Sequence, residues 1–234
     1  MPISFEKLHE ADPDIARLAR KAQFSLSKHG VDGQAARVAL CLDHSGSMRA
    51  AYAEGHMQAL ADRVLALSTQ LDDDGNIDVF FFGTEAWYGG EVGVGRREGA
   101  IERFRDGHRL GRTNYAEAIA AVRAHFGMSG DPQPTALPVY VVFLTDGAPT
   151  SRSAAEVALR EAAEHPIFWK FISIGAEEIP FLQKLDDLTG RLIDNADYQA
   201  VGELASLPDP ALFDLMLVEY RAWLDQVRQA GLIS

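Results

Sequence analysis

Three oxygen donors alternate along one short stretch, Asp43-His44-Ser45-Gly46-Ser47. A carboxylate and two hydroxyls are hard ligands, and that donor set suits a Mg²⁺-like cation. The stretch closes a continuous apolar run, Val38-Ala39-Leu40-Cys41-Leu42, and opens an amphipathic segment from about Met48 to Leu71. Such a run reads as a strand buried on both faces. The donors then lie at the carboxyl end of a central strand, where open α/β sheets carry their sites. Spacing by two aims Ser45 and Ser47 to the same side.

Two more polar stretches follow in order. Leu110-Gly111-Arg112-Thr113-Asn114 precedes a helical pattern, and Val142-Phe143-Leu144-Thr145-Asp146-Gly147 ends a second apolar strand. Taken together, the three stretches resemble the metal-ion-dependent adhesion site of von Willebrand factor A (vWA) domains, over roughly residues 37–200. The resemblance implies that Thr113 and Asp146 join Asp43, Ser45 and Ser47 as metal ligands. It implies Mg²⁺, or Mn²⁺ or Ca²⁺, as cofactor, and a protein partner that supplies an acidic side chain to the open coordination position. Neutral hydroxyls leave the cation under-neutralised, which favours an incoming carboxylate. His44, Arg112 and Asn114 border this set and are assigned to the partner-facing rim.

Within the vWA family, the chain looks most like the intracellular bacterial forms that accompany tellurium-resistance and stress-response proteins. Phe80-Phe81-Phe82-Gly83, Leu110 through Tyr115, Phe168 through Gly175, and Leu185-Asp186 carry that similarity. It implies a cytoplasmic scaffolding module and no enzymatic activity.

The elements that must position these loops can be read from periodicity. Strands are expected at 77–82, 139–144 and 167–174, with a hairpin over 84–94 and a short last strand at Leu192-Ile193. Helical spacing marks one helix over 48–71, capped by Ser47, and others near 98–105, 115–126, 153–164 and 179–188. Asp72-Asp73-Asp74-Gly75-Asn76 is a solvated turn; it lacks the alternating ligands and terminal Glu of a calcium loop. Strands alternating with helices imply a three-layer, doubly wound α/β fold, its sheet mostly parallel with one antiparallel edge strand. Residues 1–36 form an N-terminal helical extension starting at Asp12-Pro13, residues 37–206 the vWA domain, and residues 207–234 a C-terminal helix.

Composition narrows the function classes. The 234 residues carry 22 basic and 34 acidic side chains, a net charge of −12. That balance opposes nucleic-acid binding, which rests on Lys and Arg neutralising phosphates, and docking on an anionic membrane. No apolar run reaches the roughly 20 residues of a membrane span, and no signal peptide is read at the start. The single cysteine, Cys41, sits mid-strand as a core residue. Two other functions meet these residues less well. A Mg²⁺-dependent phosphohydrolase would use Asp43 as nucleophile, but Ser45 stands where many such enzymes place a second Asp. Nucleotide binding would need a Gly-x-Gly-x-x-Gly turn, which Gly89 through Gly95 does not form.

Overall fold

The computed structural model describes residues 2–72 and 74–233; Asp73 of the acidic turn lies outside them. The elements in chain order are α1 (Phe5–Ala11), α2 (Pro13–Lys28), β1 (Arg37–Asp43), a 3₁₀ turn (Gly46–Met48), α3 (Arg49–Ala53), α4 (His56–Leu71), β2 (Asn76–Phe82) and β3 (Ala86–Gly93). They continue as α5 (Ala100–Arg105), α6 (Tyr115–His125), β4 (Val139–Thr145), α7 (Arg152–Ala162), β5 (Ile167–Ile174), α8 (Pro180–Asp186), β6 (Ala196–Gly202), α9 (Asp209–Leu217) and α10 (Tyr220–Gln229).

Among the described residues there is one six-stranded sheet, ordered β3-β2-β1-β4-β5-β6. All neighbours pair in parallel except β2 and β3, so the antiparallel strand is at the edge. Winding runs outward from β1 to β2 and β3 on one side, and from β4 to β5 and β6 on the other. The reversal falls between β1 and β4, paired from Arg37↔Val139 to Leu42↔Leu144. Their carboxyl ends splay there into the crevice in which doubly wound sheets hold ligands.

Both sheet faces are covered, which explains why the central strands lack alternation. Leu40, Leu42, Val79, Phe81, Val142 and Leu144 pack with α2, α4, α9 and α10 on one face. Cys41, Phe80, Phe82, Val141, Phe143 and Phe171 pack with α6, α7 and α8 on the other. The N- and C-terminal helices therefore share one layer with α4. Asp12 caps α2 by accepting from the backbone N–H of Asp14 and Ile15 at 3.1 Å, with Pro13 as first helical residue. Asp209 of α9 then accepts from Lys21 of α2 at 2.6 Å and from Arg63 of α4 at 2.8 Å. Trp223 of α10 is buried against Phe168 and Tyr220.

Four local expectations need correction. The helix read over 48–71 is broken into a 3₁₀ turn, α3 and α4, because Gly55 takes a left-handed φ of 77°. Ser47 caps none of these pieces; its hydroxyl donates instead to Asp146. The last strand is β6, not Leu192-Ile193: Leu192 is exposed, and Ala196 starts the ladder opposite Trp169. The single C-terminal helix is two, divided where Glu219 adopts φ 62°.

Candidate metal centre

Asp43 is the last residue of β1 and is fully buried. Its side chain is held from two directions. Oδ1 accepts from the backbone N–H of Ser45 at 2.8 Å, and Oδ2 accepts from the Thr145 hydroxyl at 2.6 Å. Its carbonyl accepts from Tyr52 Oη at 2.9 Å. Thr145 ends β4, next to β1, so the sheet register sets this contact. Tyr115, buried at the start of α6, donates to the Gly147 carbonyl at 2.5 Å and fixes the turn that carries Asp146.

Two hydroxyls project past Asp43. Ser45 Oγ and Ser47 Oγ lie 3.1 Å apart, and Ser47 Oγ donates to Asp146 Oδ1 at 2.8 Å. The site loops after β1 and β4, 99 residues apart in sequence at this contact, are thus joined through side chains. Buried Asp43 and Ser45 form the floor, half-buried Asp146 the wall, and exposed Ser47 the mouth.

The third loop is zipped to the first by its backbone. Gly111 N–H donates to the His44 carbonyl at 2.9 Å, Gly46 N–H donates to the Gly111 carbonyl at 3.3 Å, and Ser45 and Gly111 form a parallel bridge. Thr113, two residues on, is half-buried, and its carbonyl accepts from Thr150 N–H at 2.7 Å. Asn114 caps α6, accepting from Glu117 N–H at 3.5 Å. Gly111 has no room for a side chain: a Cβ there would stand 2.6 Å from Thr84 N and 2.9 Å from its Oγ1. Gly111→Ala must therefore push the threonine loop away from the Thr84 turn and strain its backbone bonds to the serine loop. The expected loss is about 1–3 kcal/mol of stability, as for other overpacked sites, together with weaker cation binding. An unchanged denaturation midpoint would contradict the tight zipper.

These donors fit a small divalent cation. Neighbouring ligands of an octahedral Mg²⁺, each about 2.0–2.1 Å from the metal, stand roughly 3 Å apart. The Ser45–Ser47 and Ser47–Asp146 separations of 3.1 and 2.8 Å match such edges. The set is all oxygen, which suits Mg²⁺, Mn²⁺ or Ca²⁺ better than a thiophilic metal. Electrostatics add a second indication. Burial pushes the Asp43 carboxyl up to about 6; the Thr145 and Ser45 hydrogen bonds oppose this, and the negative Asp146 adds to it. A buried carboxylate facing another carboxylate is poised for a positive charge.

The rim expectation fails for His44. Its ring is fully buried, edge-on to Tyr52, Phe81 and Trp87. Burial, then the charge of Arg105 and of His108, lowers its pKa to about 4 and keeps it neutral. His108 is exposed and stacks on Trp87 at 4.1 Å. Arg112 is exposed beside Thr113, and Asn114 is half-buried as a helix cap. Thr145, Tyr115, Tyr52 and Gly111 went unnoticed in the sequence as supports of the site. Of these, Thr145 offered a signal, as the lone polar residue ending the otherwise apolar-lined run Val139-Tyr140-Val141-Val142-Phe143-Leu144.

A second carboxylate group, Asp186, Asp197 and Glu219, brings candidate ligand atoms within 4.8 Å of one another near the β6 edge. There the buried Lys170 ammonium is already bonded to Asp197 and supplies the positive charge.

Comparison with known proteins follows the same lines. The family model vWA-TerF-like, described as the vWA found in the TerF C terminus, matches residues 35–233. Uncharacterized protein YcbR of Bacillus subtilis (strain 168) is 30% identical over 218 residues, covering 92% of this chain and 88% of that protein. Among solved structures, proximal thread matrix protein 1 from the mussel byssus, with a zinc-occupied MIDAS motif, aligns with a TM-score of 0.57 at 15% identity. That alignment covers 79% of this chain and 47% of the mussel protein, so the chain spans about half of its length. The manganese-loaded TRAP protein of Plasmodium vivax aligns with a TM-score of 0.55 at 17% identity, over 77% of this chain and 74% of that one.

Proposed function

Because the chain belongs to the vWA family, in its TerF-like group, we propose that it is a metal-ion-dependent protein-binding module. Asp43, Ser45, Ser47, Thr113 and Asp146 hold one divalent cation, Mg²⁺ or alternatively Mn²⁺ or Ca²⁺, directly or through water. A partner protein completes the coordination with an acidic side chain. The observation that carries this reading is the meeting of Ser45, Ser47 and Asp146 oxygens at octahedral-edge spacing above a buried carboxylate. The zinc in the mussel MIDAS motif and the manganese in the Plasmodium protein support it by analogy of fold. The resemblance to intracellular bacterial relatives extends the proposal to a cytoplasmic tellurium-resistance or stress-response complex. No helix among the described residues is long and apolar enough to cross a membrane.

Hydrolysis fits less well. Both Asp43 oxygens are engaged by Ser45 and Thr145, and the nearest imidazole, His44, is sealed under aromatic rings. A hydrolase of this kind needs an accessible acid or base beside the nucleophile.

The reading is tested by titrating Mg²⁺ and Mn²⁺ calorimetrically at several pH values. Metal ligation needs the carboxylate form, and Asp43 titrates near 6 in the fold. Cation affinity is therefore expected to hold above pH 7 and to fall up to about tenfold per unit below pH 6, as one proton competes. Stability of the cation-free protein runs the other way. The folded pKa is raised above its unfolded value of 3.8. The resulting stabilisation is fully present below that value and is lost as pH rises through about 6. Retention of partner protein should require the added cation and be reversed by EDTA. Binding indifferent to EDTA would refute the module.

A further inference from the structure

We propose that the surface around this site recognises a partner segment carrying a run of carboxylates, not an isolated acid, and that Arg49, Arg109, Arg112 and Arg152 read it. The proposal rests on the cation reading above and names the chemistry of its partner.

The observation is a local reversal of charge. The chain as a whole is acidic, at −12. Yet the three site loops, residues 44–50, 106–114 and 146–152, hold four arginines against two carboxylates, Asp106 and Asp146. Of these, Asp146 is one of the proposed cation ligands, which leaves Asp106 as the one acid set against the four arginines. Each arginine belongs to the site loops by position. Arg49 opens α3 two residues after Ser47, and Arg112 directly precedes Thr113. Arg109 stands on the same loop, and Arg152 opens α7 two residues after Thr150, whose N–H is bonded to the Thr113 carbonyl.

All four are exposed, and none forms an ion pair among the described residues. Elsewhere cationic side chains are mostly consumed internally: Arg63 by Asp209, Arg97 by Asp12 and Asp62, Arg123 by Glu161, and Arg191 by Asp194. The Arg112 backbone is anchored, its N–H donating to Thr84 Oγ1 at 3.3 Å, and the Arg152 guanidinium lies 5.8 Å over the Phe181 ring. Arginines left unpaired around one opening of an acidic protein have their carboxylate partners outside the chain. The guanidinium fork matches carboxylates in particular. Exposed Glu54, Glu85, Glu177 and Glu178 stand on the adjoining loops and bound the positive zone, which favours a narrow acidic segment over an extended phosphate backbone.

The test compares two short fluorescent peptides by anisotropy, with Mg²⁺ and with EDTA. One carries a single Asp in a Gly-Ser background; the other has the same Asp flanked by Glu on both sides. The full chain is expected to bind the Glu-flanked peptide at least tenfold more tightly in Mg²⁺, with a preference that shrinks as salt rises. An Arg49→Gln/Arg112→Gln variant should lose about threefold of that preference for each arginine, typical of exposed ion pairs, while its separately titrated Mg²⁺ affinity persists. Equal affinity for the two peptides, or a preference untouched in the variant, overturns the proposal even if Mg²⁺ binds. An arginine-dependent preference accompanied by affinities for both peptides that EDTA leaves unchanged upholds the acidic-segment surface and refutes the cation reading beneath it.

Discussion

Lys170→Met is expected to cost about 3–5 kcal/mol of folding stability, the penalty for removing one member of a buried ion pair. Lys170 lies on β5 with no exposed surface, and its ammonium donates to Asp197 of β6 and to the Val218 carbonyl at 2.8 Å. It ties the outer strand pair to the junction between α9 and α10. Burial lowers its pKa, the largest influence, and Asp197 opposes that shift. Methionine fills similar volume, so the loss isolates the charge from the cavity. Asp197 would remain buried beside Asp186, whose pKa burial and the charges of Asp197 and Glu219 already push up to about 7. The companion Lys170→Met/Asp197→Leu variant removes both charges and should recover most of the loss, or exceed the parent by about 1–4 kcal/mol. Urea denaturation of the two variants separates these outcomes. A single variant as stable as the parent would show that the pair is not compensating a buried charge.

The second large effect is at Asp43, where stability and function are expected to move in opposite directions. Asp43→Asn keeps the shape. The amide can still accept from Ser45 N–H, and Thr145 Oγ1 can turn its proton to the Gly147 carbonyl, 3.1 Å away. The variant no longer holds a buried negative charge against Asp146. A shift from 3.8 to about 6 corresponds to about 3 kcal/mol at neutral pH, so the cation-free variant is expected to be about 1–3 kcal/mol more stable. For a chain of this size each kcal/mol is worth about 2–4 °C in melting temperature. Cation affinity is expected to fall more than 100-fold, beyond the roughly 10–100-fold seen when only a ligand's supporting partner is lost. Added Mg²⁺ should then stabilise the parent and leave the variant unmoved. Such an exchange of stability for cation binding is what the proposed function predicts at Asp43. A destabilised variant that still responds to Mg²⁺ would place the cation elsewhere.

Much of the scaffold was legible because it depends on burial. The runs Val38–Leu42 and Val139–Leu144 are apolar throughout since both faces of β1 and β4 are covered, and no other element tolerates that pattern so well. Breaks within periodic segments were not legible. The apolar spacing from Met57 to Leu71 runs on into α4, but the left-handed turn at Gly55 interrupts the path from Ser47. Glu219 divides the C-terminal helix by a conformation that a glutamate rarely adopts, and its sequence carries no breaker there. The apolar pair Leu192-Ile193 drew the last strand forward, while the ladder actually forms where Tyr198 bonds Ser173 and Ile179.

At the site, the residues that meet, Ser45, Ser47 and Asp146, were readable and the supports of Asp43 were not. Ser45 and Ser47 stand out because hydroxyls are unexpected straight after a buried strand. Thr145 stands out only as the polar end of its run, and because threonine is an ordinary strand residue only the β1–β4 register reveals that it holds Asp43. His44 was misjudged for a related reason. Alternation correctly turns it away from Asp43, but the enclosure comes from Trp87 on β3 and Tyr52 on α3, contacts that local sequence does not encode.

The most direct measurement is the anomalous difference density of crystals soaked in Mn²⁺. The dominant peak is expected between Ser45 Oγ, Ser47 Oγ and the Asp146 carboxylate, above Asp43, and absent from crystals of Asp43→Asn. A peak confined to Asp186, Asp197 and Glu219, with none at the Asp43 loop, would contradict the account.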